Sequence, residues 1–185
     1  MVRLMQIYQP AEDSYLLSKI LKDFLKNKDK FLSILDIGSG SGIQAQICRD
    51  LKFKNILTAD INPKAVEHLK QQGFNAIKSD LFSNIKKQFN LIIFDPPYLP
   101  KDKREPKDSQ ITTTAGKQGY EIIIKFLKQA KSHLTKQGTI LLLFSSLSKP
   151  KIILNQAKKL NYKIKLLKTK KLFFEKLFVY EIINS

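Results

Sequence analysis

The stretch Asp95-Pro96-Pro97-Tyr98 offers the most specific chemistry in this chain of 185 residues. An ionised Asp95 carries only acceptor oxygens, and Pro96 has a carbonyl but no N–H. Two acceptors held side by side suit a planar NH2 group, as in a side-chain amide or an exocyclic base amine. Tyr98 can cover the flat face of such a group. The prolines stiffen the corner, and Asp95 is pushed out of the helical region because a proline follows it. A tight turn without chemistry is the plainer alternative.

A second feature is Gly38-Ser39-Gly40-Ser41-Gly42. Glycines let a ligand approach the backbone, and free N–H groups at a helix start point at it. The spacing is not GxGxxG, because the third glycine comes one position early, and no Lys-Ser/Thr follows as in a P-loop. Asp36 beside this turn would repel a phosphate but is compatible with a sulfonium or ammonium. Asp60 lies twenty residues after Gly40, a place from which a carboxylate accepts hydrogen bonds from both ribose hydroxyls. Asp80, in Ser79-Asp80-Leu81-Phe82, either reads an adenine amine or caps a loop. Ser14 either faces a cofactor from the first turn of a helix or is an ordinary residue of that turn.

These residues need a scaffold, and the apolar patterning supplies one. Short apolar runs predict strands over 32–37, 56–60, 74–78 and 89–94, then 139–145, 162–167 and 172–182, with a turn at 168–171 between the last two. Helical spacing predicts helices over 11–28, 43–51, 63–72, 120–134 and 148–160. Strand–helix alternation implies an α/β domain with a mostly parallel sheet, a C-terminal antiparallel hairpin and helices on both faces. Asp36, Asp60, Asp80 and Asp95 then fall at the C-terminal ends of successive strands and form one acidic rim. A cationic ligand bearing a ribose and an adenine accounts for all four, and S-adenosyl-L-methionine (SAM) fits that description. The polar stretch within 99–119 carries no periodicity and is the natural substrate loop.

Composition bounds the rest. At 43% hydrophobic residues the chain is globular. A lone Cys48 excludes an internal disulfide, no apolar run can span a bilayer, and the first residues lack a secretory pattern. A cytoplasmic location follows as the expectation. The net charge of +17 points to a polyanion such as RNA or the ribosome, or to a compositional bias toward lysine. The arginines are only Arg3, Arg49 and Arg104. His68 and His133 stand apart, so no metal cluster is expected.

Taken together, YQPAEDSYLL (8–17), LDIGSGSG (35–42), ADINPKA (59–65), SDLF (79–82), FDPPYLP (94–100) and AGKQGYEII (115–123) resemble the HemK/PrmC-type protein-glutamine methyltransferases. These belong to the Rossmann-like class I SAM-dependent enzymes, and the closest likeness is to their short archaeal and eukaryotic branch. The resemblance implies a single methyltransferase domain over 1–185. Ser14, Asp36, Gly38, Gly40, Asp60, Asp80, Leu81 and Asp95 would line the cofactor. Asp95, Pro96, Pro97 and Tyr98 would hold the amide of a glutamine in the GGQ loop of a class 1 translation release factor. It also implies a small zinc-binding activator subunit as partner. The family's usual motif is NPPY, whereas this chain has DPPY, the form found in many amino-group methyltransferases of adenine and some of guanine. Transfer to an exocyclic base amine is therefore the alternative substrate, and a non-catalytic SAM-binding module is a further one.

Overall fold

The apolar run at 91–94 forms the middle of β4 (Phe89–Phe94) in the computed structural model, which describes residues 7–99 and 116–184. Side chains of a strand alternate between faces, and here both faces are covered. Leu91 and Ile93 pack under α1 (Glu12–Leu25) and α2 (Ile43–Asp50), with Leu17, Leu21 and Cys48. Ile92 and Phe94 pack under α4 (Glu121–Ala130) and α5 (Pro150–Lys159), with Phe126, Leu127 and Ile153. A fully apolar run is what a strand buried on both faces requires. The Phe94 and Phe126 rings stack with centroids 4.2 Å apart. On the α2 side, α3 (Pro63–Gln71) adds Val66 and Leu69 to a smaller cluster with Ala45 and Phe74. Asn62 caps α3 by accepting from Lys64 N–H at 3.0 Å, and Pro63 opens it.

Among the described residues the sheet has seven strands. Besides β4 they are β1 (Ser33–Ile37), β2 (Asn55–Asp60), β3 (Asn75–Lys78), β5 (Leu134–Ser145), β6 (Tyr162–Lys171) and β7 (Lys176–Asn184). Their spatial order is β3-β2-β1-β4-β5-β7-β6. The first five run parallel, in register Ile37↔Ala59 and Ile37↔Phe94, and β7 runs antiparallel between β5 and β6. Chain order reverses between β1 and β4, the switch point at which open α/β sheets bind ligands. The expected fold class holds: a mostly parallel seven-stranded sheet, a C-terminal antiparallel pair and helices on both faces.

Three boundaries differ from the sequence expectation. Helix α4 stops at Ala130, a 3-10 turn follows at Lys131–His133, and β5 already begins at Leu134. Gln137-Gly138, read as the turn before the strand, lies in an irregularity of β5 between the pairs Phe89↔Leu134 and Leu91↔Thr139. The hairpin turn is at 172–175, not 168–171, because β6 pairs with β7 as far as Lys171↔Lys176. β6 is an edge strand, so its lysines project to water while the backbone stays in the ladder. Of the expected substrate loop 99–119, residues 100–115 lie outside the described residues.

Candidate active site

Four of the five parallel strands, all but β5, deliver a carboxylate to one rim. Asp36 is the penultimate residue of β1, Asp60 the last of β2, and Asp95 follows β4. All three line one cavity together with Ser14, Gly38, Gly40, Pro96, Pro97 and Tyr98. Asp80 and Leu81, after β3, line an adjoining cavity that shares Gly38, Ile61 and Pro97 with the first. Sequence-predicted site residues are thus brought together along the sheet's upper edge.

The glycine turn wraps this cavity. Gly42 starts α2 at φ +84°, and a Cβ there would meet Leu69 Cδ2 at 2.7 Å, so a larger residue would be strained and would force the Leu69 side chain to shift. Gly40 N–H donates to Asp60 Oδ2 at 2.9 Å, while Asn62 N–H donates to Asp60 Oδ1 at 2.8 Å. A carboxylate has about four acceptor sites, so Asp60 keeps acceptor capacity for a ligand hydroxyl beside these backbone donors. Asp80 is half exposed and its Oδ2 accepts from Lys125 Nζ at 2.9 Å. Leu81 next to it is buried at φ +51°, an uncommon conformation for a branched side chain that the surrounding packing must hold.

Four residues that sequence reasoning gave no site role complete the arrangement: Tyr8, Asp13, Gln44 and Ser148. Asp13 is only 4% exposed, and its Oδ2 accepts from Tyr98 Oη at 2.9 Å and from Tyr8 Oη at 3.0 Å. Its Oδ1 accepts from Ser14 N–H at 2.6 Å. The Tyr98 carbonyl in turn accepts from Ser148 Oγ at 2.8 Å. The proline corner is therefore pinned to α1 on one side and to the 3-10 turn after β5 on the other. Gln44 holds α1 against α2, donating to the Ser14 carbonyl at 2.9 Å and accepting from Ser18 Oγ at 3.1 Å. Asp13 was legible only as an acidic residue in a helix's first turn, since its tyrosine partner Tyr98 lies far along the chain.

The electrostatics follow from crowding carboxylates away from water. Burial, and secondly the charge of Asp60, push Asp36 up to about 7. Burial also raises Asp60, against backbone donors at Asn62, Gly40 and Ile61. Asp95 is held well above the usual carboxylate range by burial and then by the charge of Asp13, which the Ser14 hydroxyl partly offsets. That hydroxyl donates to Asp95 Oδ2 at 3.2 Å. Asp95 Oδ1 and Asp36 Oδ2 are sealed from solvent with no hydrogen-bond partner among the described residues. Buried polar atoms normally have partners, and no lysine or arginine is among the described residues lining this cavity. A ligand that is cationic and carries hydroxyls and NH groups meets those needs. The sulfonium, ammonium and ribose diol of SAM fit this set of acceptors.

Comparison with known proteins agrees with the chemistry. The model of the methyltransferase small domain matches residues 15–172. A provisionally named protein N5-glutamine methyltransferase of Methanocaldococcus jannaschii is 38% identical over 182 residues, covering 94% of this chain and 90% of that relative. The release factor glutamine methyltransferase of Lactococcus lactis is 30% identical over 131 residues, 63% of this chain, and the chain spans 48% of that relative's length. Among solved structures, a chain of the E. cuniculi Mtq2–Trm112 complex, responsible for methylation of the eRF1 translation termination factor, superimposes with a TM-score of 0.76 at 26% identity. That match covers 96% of this chain and 98% of the other. With a family model spanning most of its length and a near full-length relative, the chain belongs to the methyltransferase small domain family and, within it, to the HemK type of SAM-dependent methyltransferases.

Proposed function

We propose that this enzyme methylates the side-chain amide nitrogen N5 of a protein glutamine, in the GGQ loop of a class 1 translation release factor. The observation that carries the reading is Asp95 Oδ1: a sealed, unpartnered acceptor among the described residues, in the same cavity as Asp36 and Asp60. Relatives named for glutamine and release-factor methylation support the substrate.

Asp60 would receive the ribose hydroxyls, Asp80 and Leu81 would border the adenine, and Ser14, Asp36, Gly38 and Gly40 would surround the amino-acid end. The bound cofactor supplies an electrophilic methyl group. Asp95 and the Pro96 carbonyl accept the two N–H bonds of the substrate amide. That fixes the plane of the nitrogen and aims its lone pair, so positioning supplies most of the rate. Pro97 keeps the corner rigid, and Tyr98, anchored by Asp13, lies against the amide face. An amide nitrogen is a weak nucleophile. Hydrogen bonds from its N–H groups to the two acceptors shift the N–H bonding electrons toward nitrogen and raise its reactivity, and one of these bonds carries away the proton the nitrogen loses when it takes the methyl group.

A small partner subunit, zinc-binding in the family this chain resembles, completes the working enzyme; the E. cuniculi neighbour is itself a two-protein complex. No helix among the described residues is long and apolar enough to cross a membrane, and a substrate in translation supports a cytoplasmic location. The charge of +17 adds contact with RNA or the ribosome. The same charge and the Asp of DPPY favour a second reading, transfer to an exocyclic amine of adenine or guanine in RNA or DNA.

Labelled SAM separates the two readings. It is offered to a purified GGQ-loop release factor, to the same protein with the glutamine changed to alanine, and to bulk RNA. Label in the first alone is expected. Label in RNA alone would replace the glutamine reading with the second.

A further inference from the structure

The turn joining β6 to β7 plays no part in the cavity, yet it stands on the same rim. Leu172 packs into the cluster under α1, and its N–H donates to the Glu175 carbonyl at 2.8 Å, closing the turn. Phe173 and Phe174 face outward, 91% and 86% exposed, with ring centroids 4.6 Å apart at 83°. They are the most exposed large apolar side chains among the described residues. The tip is braced on both strands. Lys170 pairs with Glu12 at the start of α1, and Lys176 N–H donates to Ser146 Oγ at 3.0 Å. Since β7 pairs with β5 through Ser145↔Leu177, the tip sits at the C-terminal ends of the parallel strands, where Asp95 is. Glu175 at its base is near enough for its charge to bear on both Tyr8 and Tyr98.

A braced, largely exposed aromatic pair beside a site mouth has the form of a binding anchor, because such rings gain most when a partner's pocket removes them from water. Lys168, Lys171 and Lys176 flank the pair without a carboxylate partner among the described residues. A second copy of this chain, at +17, would be repelled. Rings set edge to face do not offer the parallel platform on which successive bases stack. A macromolecule that inserts a side chain into the cavity must lie across this rim. We propose that the Phe173–Phe174 tip docks the folded protein substrate, fitting an acidic surface with an apolar hollow beside the target glutamine. This rests on the glutamine reading, and it adds a second point of recognition that a short peptide cannot reach.

The test pairs Phe173→Ser with Phe174→Ser, both at exposed positions, and compares an intact release factor with a short GGQ peptide. In the double variant KM for the intact protein should rise about tenfold, the loss of an ordinary aromatic anchor. Its kcat, its SAM affinity, its melting temperature and its KM for the peptide should match the parent. Replacing both residues by leucine should recover most of the loss. An unchanged KM for the intact protein would overturn the proposal. So would loss of binding to bulk RNA or to phosphatidylserine vesicles with protein methylation intact, which would assign the tip to a polyanion. Methylation of the peptide by the parent enzyme reports the glutamine reading separately. If the peptide is methylated and the protein KM does not move, docking alone fails.

Discussion

Asp95 has two oxygens in different circumstances: Oδ2 is held by Ser14, and Oδ1 has no partner among the described residues. Asp95→Ala should lower kcat about 100-fold or more, the scale of losing one preorganised polar group at a reacting centre, with SAM affinity within a few-fold of normal. Asp95→Asn keeps an acceptor and should retain much more activity; single-turnover kinetics with a SAM titration checks both. Asp13→Ala leaves the Tyr8 and Tyr98 hydroxyls and the Ser14 N–H without their acceptor. It should cost about 1–3 kcal/mol in chemical denaturation and lower kcat more than it raises the KM for SAM. Asp36 sets a pH dependence. Its folded value of about 7 stands above the ordinary 3.8, so between those values the folded chain keeps a proton that the unfolded chain has lost. The stability this gives is full below the lower value and lost as pH rises through the upper one. Ligand-free protein should therefore lose melting temperature from about pH 4 to about pH 7, and Asp36→Asn should flatten that slope. A cationic cofactor favours the ionised carboxyl, so SAM should bind more tightly as pH rises over the same interval. The strand-end carboxylates were legible because each ends an apolar run. Asp13 was not, because its role comes from Tyr98, a residue 85 positions away in sequence.

Elements hold these residues through the two faces of the sheet. Phe126 is fully buried and stacks on Phe94, the residue just before Asp95. Phe126→Ala should destabilise the protein by about 3–5 kcal/mol, measured in urea, as expected for deleting a core ring. The strand–helix order could be read from sequence because buried parallel strands are continuous apolar runs and helices repeat near every fourth residue. The ends of elements could not. Lys168 to Lys171 has the polarity of a turn, but at the edge of a sheet polar side chains are free to point outward from a regular strand. Leu172 to Glu175 looks like strand, yet it turns, with Phe173 and Phe174 left in water. What decides the boundary is the register with β7, which is a non-local property.

At the scale of the molecule, an acidic cavity sits in a strongly basic chain. The two should respond differently to salt. Non-specific RNA binding should weaken steeply between about 50 and 200 mM salt through counterion release. Methylation of a short glutamine peptide should change little over that range, because buried groups are screened far less than exposed ones. Overall charge was legible from composition, but not that the described residues lining the cavity would include no lysine while lysines line the outer strand. The placement of β7 has a consequence for how the molecule is made. It is the last of the described strands in sequence order, but it occupies an interior slot, between β5 and β6. Until the ribosome has delivered residues 176–184, β5 has one border with no strand beside it, and β6 has nothing to pair with at all. A nascent chain halted a few residues short would carry a finished cofactor rim on a sheet with an open apolar seam, the kind of edge that recruits other chains.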